Sequence, residues 1–393
     1  MESTVLKGFR SMKHSRIHEL DVLRAFGFLF VVAQHLFGGF AWRAEVGTIQ
    51  SLILSLIYVI AKPAVPIFLV LVGLTLFLYT KDQKPRFIEF YKKKFKNIMI
   101  PYILWSILII IFNGDFQKFS NIIGILMTGS ASYHLWYMGV LIRVFLFFPL
   151  MWFIFNYGYS RDKTTRNILF ALFVVVSWYF IKNEGVITTN IANFLFNNPS
   201  ELKKKFVSIS PIFWSLYLVI GMRVAYEYDD FKAFIEKRKW QLLGAYPFLL
   251  AYNYYDEIKD KIGIQESDLV QSMISYSHSV LSIAFMVLSI LVFYIISKGI
   301  YDKLPRLYSV LRHIAKYSYV GYLIHTCVLS LAAMPILTYG MPYSLPLDSA
   351  IYFVTIFFSI EIPHMLGYLP YSYLLTGAPQ LMPIQAETRT KAH

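Results

Sequence analysis

The chain reads as an all-α polytopic membrane helix bundle of about ten transmembrane helices, and three observations point there. Of its 393 residues, 57% are hydrophobic and only 15% charged, whereas a soluble domain carries about a quarter charged residues. The apolar residues fall into runs of about twenty, the length that crosses a bilayer as a helix. Lys and Arg are distributed unevenly between the loops that join those runs.

The first run, 20–42, follows a basic rather than apolar N-terminus and has no small-residue cleavage site, so it is expected to be retained. The second, 50–80, is too long for one straight crossing, and Pro63 and Pro66 predict a break in it. A third, 97–113, opens on Ile98-Met-Ile-Pro101-Tyr102, and a fourth, 133–156, opens on His134-Leu-Trp-Tyr137. The remaining runs are 166–182, 209–226, 238–255, 272–297, 316–338 and 347–375. No large soluble domain fits between them. The expected organisation is therefore a cytosolic segment 1–19, one membrane domain 20–376 and a polar, disordered cytosolic tail 377–393. The single Cys327 excludes an internal disulfide and any multi-cysteine metal site, and no metal is expected.

With the N-terminus inside, about 25 of the 37 Lys and Arg lie on the cytosolic side, as the positive-inside rule requires. Both termini and the 81–97 loop are then cytosolic in a plasma-membrane protein, and the loop Asp256 to Asp268 is outside, acidic and solvated. Lys203-Lys204-Lys205 falls on the outer side, in a long loop where the rule weakens. The net charge of +14 follows from this bias and from attraction to anionic lipid, so it calls for no nucleic-acid partner.

Four local patterns carry chemistry. Arg24 and His35 sit eleven residues apart in the first run, within about 20° of one helix face and about 16 Å apart along it. Asp21 and Arg24 have the i, i+3 spacing of an ion pair, which accounts for a snorkelling arginine but leaves His35 unexplained deep in hydrocarbon. The second pattern is a basic loop, Lys92 to Lys96, running into the third span; such a run is a topology determinant, and its lysines also suit phosphates. In the third, Trp136 and Tyr137 fit an aromatic belt, while His134 at the outer mouth is placed to touch an acceptor. The fourth is Tyr317-Ser-Tyr-Val-Gly-Tyr-Leu-Ile-His325, which with Glu361 and His364 makes a polar interior that a passive bundle would avoid.

In this order and spacing the chain resembles the integral membrane acyltransferases called acyltransferase type three, from about Arg16 to Gly377. The resemblance rests on Leu20-Asp-Val-Leu-Arg24 leading to His35, on Val65-Pro66-Ile-Phe with Gly73, and on His134-Leu-Trp-Tyr137. It continues through Tyr317 to His325, Glu361-Ile-Pro363 and Leu374-Leu-Thr-Gly377. It implies transfer of an acyl group, commonly acetyl from acetyl-coenzyme A, from a cytosolic acyl-coenzyme A to a hydroxyl of a cell-surface glycan or other membrane-accessible acceptor. It also implies that Arg24 and His35 are the essential arginine-to-histidine pair. Where that family often has two arginines three apart before the third span, this chain has Lys94 and Asn97, which weakens bidentate phosphate binding.

The resulting assignment makes His35, Arg24 and His325 catalytic, with Arg24, Lys93, Lys94 and Lys96 on the coenzyme A phosphates. His134 and Trp136 stand on the acceptor side. His35 acts as general base or as a nucleophile that relays the acyl group, and the sequence leaves both routes open. A different class, a glycan or small-molecule exporter, would also carry intramembrane His, Arg and Glu, but no two-fold repeat supports it.

Overall fold

The computed structural model describes residues 16–41, 48–78, 80, 84–259, 279–339, 341 and 344–381. Every regular element among them is helical. In chain order they are α1 (His18–Ala41), α2 (Ile49–Ala61), α3 (Ala64–Leu78), α4 (Phe87–Lys94), α5 (Ile100–Asn113), α6 (Ile122–Thr128), α7 (Trp136–Leu146), α8 (Phe148–Tyr159) and α9 (Lys163–Lys182). Then follow α10 (Glu184–Phe196), α11 (Glu201–Ser208), α12 (Ser215–Tyr226), α13 (Tyr228–Lys259), α14 (Val280–Lys303), α15 (Pro305–Ala332), α16 (Met334–Tyr339), α17 (Leu345–Leu366) and α18 (Tyr373–Thr376).

Among the described residues six helical stretches are long and apolar enough to cross a membrane, or up to eight if each of two bent pairs is one crossing. That differs from the ten expected from sequence. The shortfall lies in α13 and α15, whose charged residues dilute their apolar ones. α15 nevertheless runs deep into the bundle, and α13, mostly exposed along its length, is tied to it at both ends. At the His18 end of α1, Glu19 accepts hydrogen bonds from Tyr228 of α13 (3.0 Å) and Tyr294 of α14 (3.2 Å), and the His18 ring stacks on Tyr301 and meets the Tyr308 hydroxyl at 2.5 Å. At its other end α13 pairs Glu257 with Lys62, both nearly buried. Its 32 residues cover about 48 Å.

Breaks occur where proline removes a backbone donor. α2 and α3 part at Lys62 and Pro63, as the proline pair predicts. α7 and α8 bend by 61° ahead of Pro149, and α11 and α12 by 43° around Pro211. Buried Arg143 serves the second bend: its guanidinium donates to the Ile209 carbonyl at 3.1 Å and lies over the Phe206 ring. A charge inside the bundle is thus spent on a carbonyl that the bend frees.

α1 is central, packing on α2, α3, α14, α15 and α17. α3 and α12 make the closest crossing: a Cβ on Gly73 would lie 2.1 Å from the Leu218 carbonyl oxygen, and one on Gly221 2.1 Å from that of Val70. Small residues at such a crossing let backbones approach where lipid offers no hydrophobic drive for helices to associate. α9 is the opposite case, with Leu169, Leu172, Val175, Val176 and Tyr179 exposed, as expected of a helix that faces lipid.

Several expectations need correction. The basic stretch through Lys93 is not a loop but helix α4, continued by a π-helical turn Phe95–Met99 into α5, because lysine is a good helix former. Pro101 offers no N–H to the Asn97 carbonyl four residues back, and the wider turn sits at that gap. Gly377, with φ +66°, comes so close to the Asn97 carbonyl that a Cβ would be 2.0 Å away. Lys203 to Lys205 are likewise helical, on α11, with Lys204 paired to Glu201 at 2.8 Å. The acidic outer loop begins as the last turn of α13, and its Glu257 is nearly buried against Lys62 rather than solvated. Residues 1–15, 260–278 and 382–393 lie outside the described residues, and with them most of the cytosolic segment 1–19, the rest of the acidic loop to Asp268 and the end of the polar tail. Of the tail, residues 377–381 pack back, with the Leu381 N–H donating to the Gly367 carbonyl at 2.8 Å.

Candidate active site

Three histidines from three separate elements meet about three-quarters of the way along α1. His35 is carried by α1, His134 by the short 3-10 turn Tyr133–Leu135 that leads into α7, and His325 by α15. Their ring centroids are 5.2 Å apart for His35 and His325, 4.7 Å for His134 and His325, and 6.2 Å for His35 and His134. His134 and His325 are buried, whereas His35 is half-buried and keeps surface open. Exposed Tyr133 stands edge-on to His35 at 5.1 Å.

The hydrogen bonds assign each imidazole a different capacity. His325 Nδ1 lies 2.7 Å from the Tyr322 carbonyl, which can only accept, so Nδ1 carries the proton. Its Nε2 is then a lone pair, buried and without a hydrogen-bond partner. His134 is engaged on both sides: Nε2 donates to the Leu323 carbonyl at 3.2 Å, and Nδ1 receives the hydroxyls of Ser132 and Thr326, each at 3.1 Å. The Tyr322 hydroxyl donates to the His134 carbonyl at 2.5 Å, so three hydrogen bonds tie the turn to α15. His134 holds the arrangement and His325 presents a base. Its ring points into the cluster, where α15 supplies its partners. Trp136 does not join the cluster. It packs on Trp214 with ring centroids 5.0 Å apart.

Arg24 lies about 16 Å along α1 from His35 and pairs with buried Asp21 at 3.3 Å, and Arg16 pairs with the same carboxylate at 2.5 Å. Lys93 is exposed on α4. Lys94 lies over the Phe145 ring at 4.5 Å, and Lys96 over Tyr373 of α18 at 5.1 Å. The π turn between these lysines and α5 is held by the Tyr319 hydroxyl, which donates to the Ile98 carbonyl at 2.6 Å. Glu361 and His364 are not part of the histidine cluster; they meet His313 between α15 and α17.

Sequence reasoning missed Ser132, Tyr322 and Thr326, which orient the two buried imidazoles. Tyr322 lies inside the Tyr317 to His325 pattern and Thr326 one residue past it, and that proximity was the available signal. Gln34, one residue before His35, donates its side-chain amide to the Ala61 carbonyl at 2.6 Å and ties α1 to the end of α2 beside the cluster.

Compared with known protein families, the chain matches the model of the acyltransferase domain called acyltransferase 3 over residues 17–361. No curated protein and no solved structure matches it.

Proposed function

Because the chain belongs to the acyltransferase 3 family, we propose that it is a membrane O-acyltransferase that moves an acyl group, acetyl in the simplest case, from cytosolic acyl-coenzyme A to a hydroxyl of an extracytoplasmic glycan or comparable acceptor. The observation that carries this reading is the meeting of His35, His134 and His325, with a buried, unpartnered His325 Nε2 beside a half-buried His35. A polar cluster of this kind inside an apolar bundle costs stability and is expected only where it works.

In this reading the donor phosphates rest on Arg24, Lys93, Lys94 and Lys96, and the pantetheine arm follows α1 to bring the thioester to His35. The acceptor oxygen attacks the thioester carbonyl carbon, and His35 takes the hydroxyl proton as that C–O bond forms. The C–S bond breaks, and coenzyme A leaves as the thiol after the proton is returned to its sulfur. His325 Nε2 is next in line to share the proton, and His134 keeps both rings in register. α13 and α15 count as crossings in this account, which brings the bundle to about ten and puts both termini in the cytosol of a plasma-membrane protein.

The test is purified protein with acetyl-coenzyme A labelled in the acetyl group. Time-dependent loss of label from coenzyme A, by transfer or slow hydrolysis, is the expected result. A folded protein that binds no acyl-coenzyme A and turns none over would return the exporter reading to first place.

A further inference from the structure

His313 of α15 meets Glu361 and His364 of α17 at a second polar group, separate from the three histidines. Glu361 Oε1 is 2.7 Å from His313 Nε2, and Oε2 is 2.8 Å from His364 Nδ1. The two imidazoles stand edge to face with centroids 5.0 Å apart. One ligand atom from each residue can be chosen so that all three lie within 4.8 Å of one another, and all three side chains are half-buried. We propose that this group binds a divalent transition-metal ion of the zinc class, with His313 Nε2, His364 Nδ1 and one Glu361 oxygen as ligands.

Ligand chemistry selects the metal. Two imidazole nitrogens and one carboxylate suit a borderline ion such as zinc, whereas magnesium and calcium call for oxygen alone. Three protein ligands leave a fourth tetrahedral position for water. Glu361 and His364 are at i, i+3 on one helix face, and His313 comes from the facing helix, so little movement is needed to open the two hydrogen bonds into a ligand triangle.

Charge supports the same choice. With both imidazoles neutral, each donating one N–H to the carboxylate, the trio keeps the full Glu361 charge; a divalent ion would offset that charge, each ring proton moving to the nitrogen that does not bind the metal. Tyr317 adds an independent sign. One turn beyond His313, it is 7% exposed, its ring centroid is 5.0 Å from that of His364 and 5.1 Å from that of His313, and its hydroxyl is buried without a hydrogen-bond partner. A metal-bound water would give that hydroxyl one. The Tyr368 hydroxyl, 3.5 Å from His364 Nε2, stands where an outer partner orients a ligating imidazole.

His313 precedes His325 by about 18 Å along α15, close to the Arg24 to His35 interval on α1, so the ion would fasten α15 to α17 well away from the three histidines. Its role is to hold α15 rather than to act on substrate, and it stands or falls independently of the acyl-transfer reading.

The experiment titrates chelator-stripped, tag-free full-length protein in detergent with cobalt(II), then displaces it with zinc. Expected are the intense visible bands of four-coordinate cobalt, saturating at one equivalent and lost on zinc addition. His313→Gln and His364→Gln should each weaken cobalt binding by more than the roughly 10- to 100-fold that loss of an outer partner costs. No such bands in the wild type, or bands unchanged in either variant, would overturn the site. X-ray absorption of zinc-loaded wild type needs no variant: two imidazoles at about 2.0–2.1 Å support the proposal, and an all-oxygen shell overturns it.

Discussion

Replacing Gly221 by Ala tests the packing that holds the bundle around its central helices. The new methyl carbon would stand 2.1 Å from the Val70 carbonyl oxygen and 2.8 Å from the Leu74 nitrogen, against ordinary contacts of 3.4 Å or more. Both obstacles are backbone, so no side chain can rotate away and α3 and α12 must part by about 1 Å. A gap of that size forfeits about a quarter to a half of each dispersion contact along the crossing, where Val70, Leu74, Leu218 and Met222 are buried. Overpacking costs about 1–3 kcal/mol, and the rigidity of the obstacle favours the upper end. That corresponds to roughly a 5- to 150-fold loss in folded-to-unfolded ratio. Gly73→Ala, which meets the Leu218 carbonyl at 2.1 Å, should behave alike. Gly244 and Gly299 are the controls: both are helical with nothing within 4 Å of an added Cβ, so Ala there should be neutral or stabilise by about 0.5–1 kcal/mol. Thermal unfolding in detergent, followed by intrinsic tryptophan fluorescence, reads all four. Equal midpoints for Gly221→Ala and Gly244→Ala would refute the argument.

Three further outcomes follow from the proposed chemistry. Neutralising Lys93, Lys94 and Lys96 together should raise the KM for acyl-coenzyme A and flatten its salt dependence with little change in kcat, because uniform binding is lost; an unchanged KM would move the phosphates elsewhere. Thr326→Val keeps the shape but removes one hydroxyl from His134 Nδ1, and should lower kcat by about tenfold while sparing donor KM; full activity would deny His134 its positioning role. A cysteine at Lys93 in a Cys327→Ala background should be labelled from the cytosolic side alone, and labelling from outside would invert the topology.

What the sequence made legible is local. The α1 stripe, the proline break between α2 and α3, and the positions of His35 and His325 follow from helical spacing and backbone chemistry near each residue. The meeting of His134 with α15 was not legible, because its partners Leu323 and Thr326 lie far along the chain and reach it only through packing. His313 with Glu361 and Lys62 with Glu257 are of the same kind, joining residues 48 and 195 positions apart. Arg143 was hidden for another reason: its use depends on a carbonyl freed at a bend that composition alone does not announce. The expected count of about ten included α13 and α15, whose charged residues leave them below the apolar level of a free-standing span.

The central claim is that His35, supported by His325, carries acyl transfer. It is tested most directly by turnover of labelled acetyl-coenzyme A with purified wild type, His35→Ala and His325→Ala, each first shown to be folded by its unfolding midpoint. The account predicts that His35→Ala loses at least about 100-fold in turnover, the scale of a lost general base, with donor binding retained because the phosphates sit about 16 Å away. His325→Ala should show a clear but smaller loss if it only shares the proton. Near-normal turnover by folded His35→Ala would contradict the account.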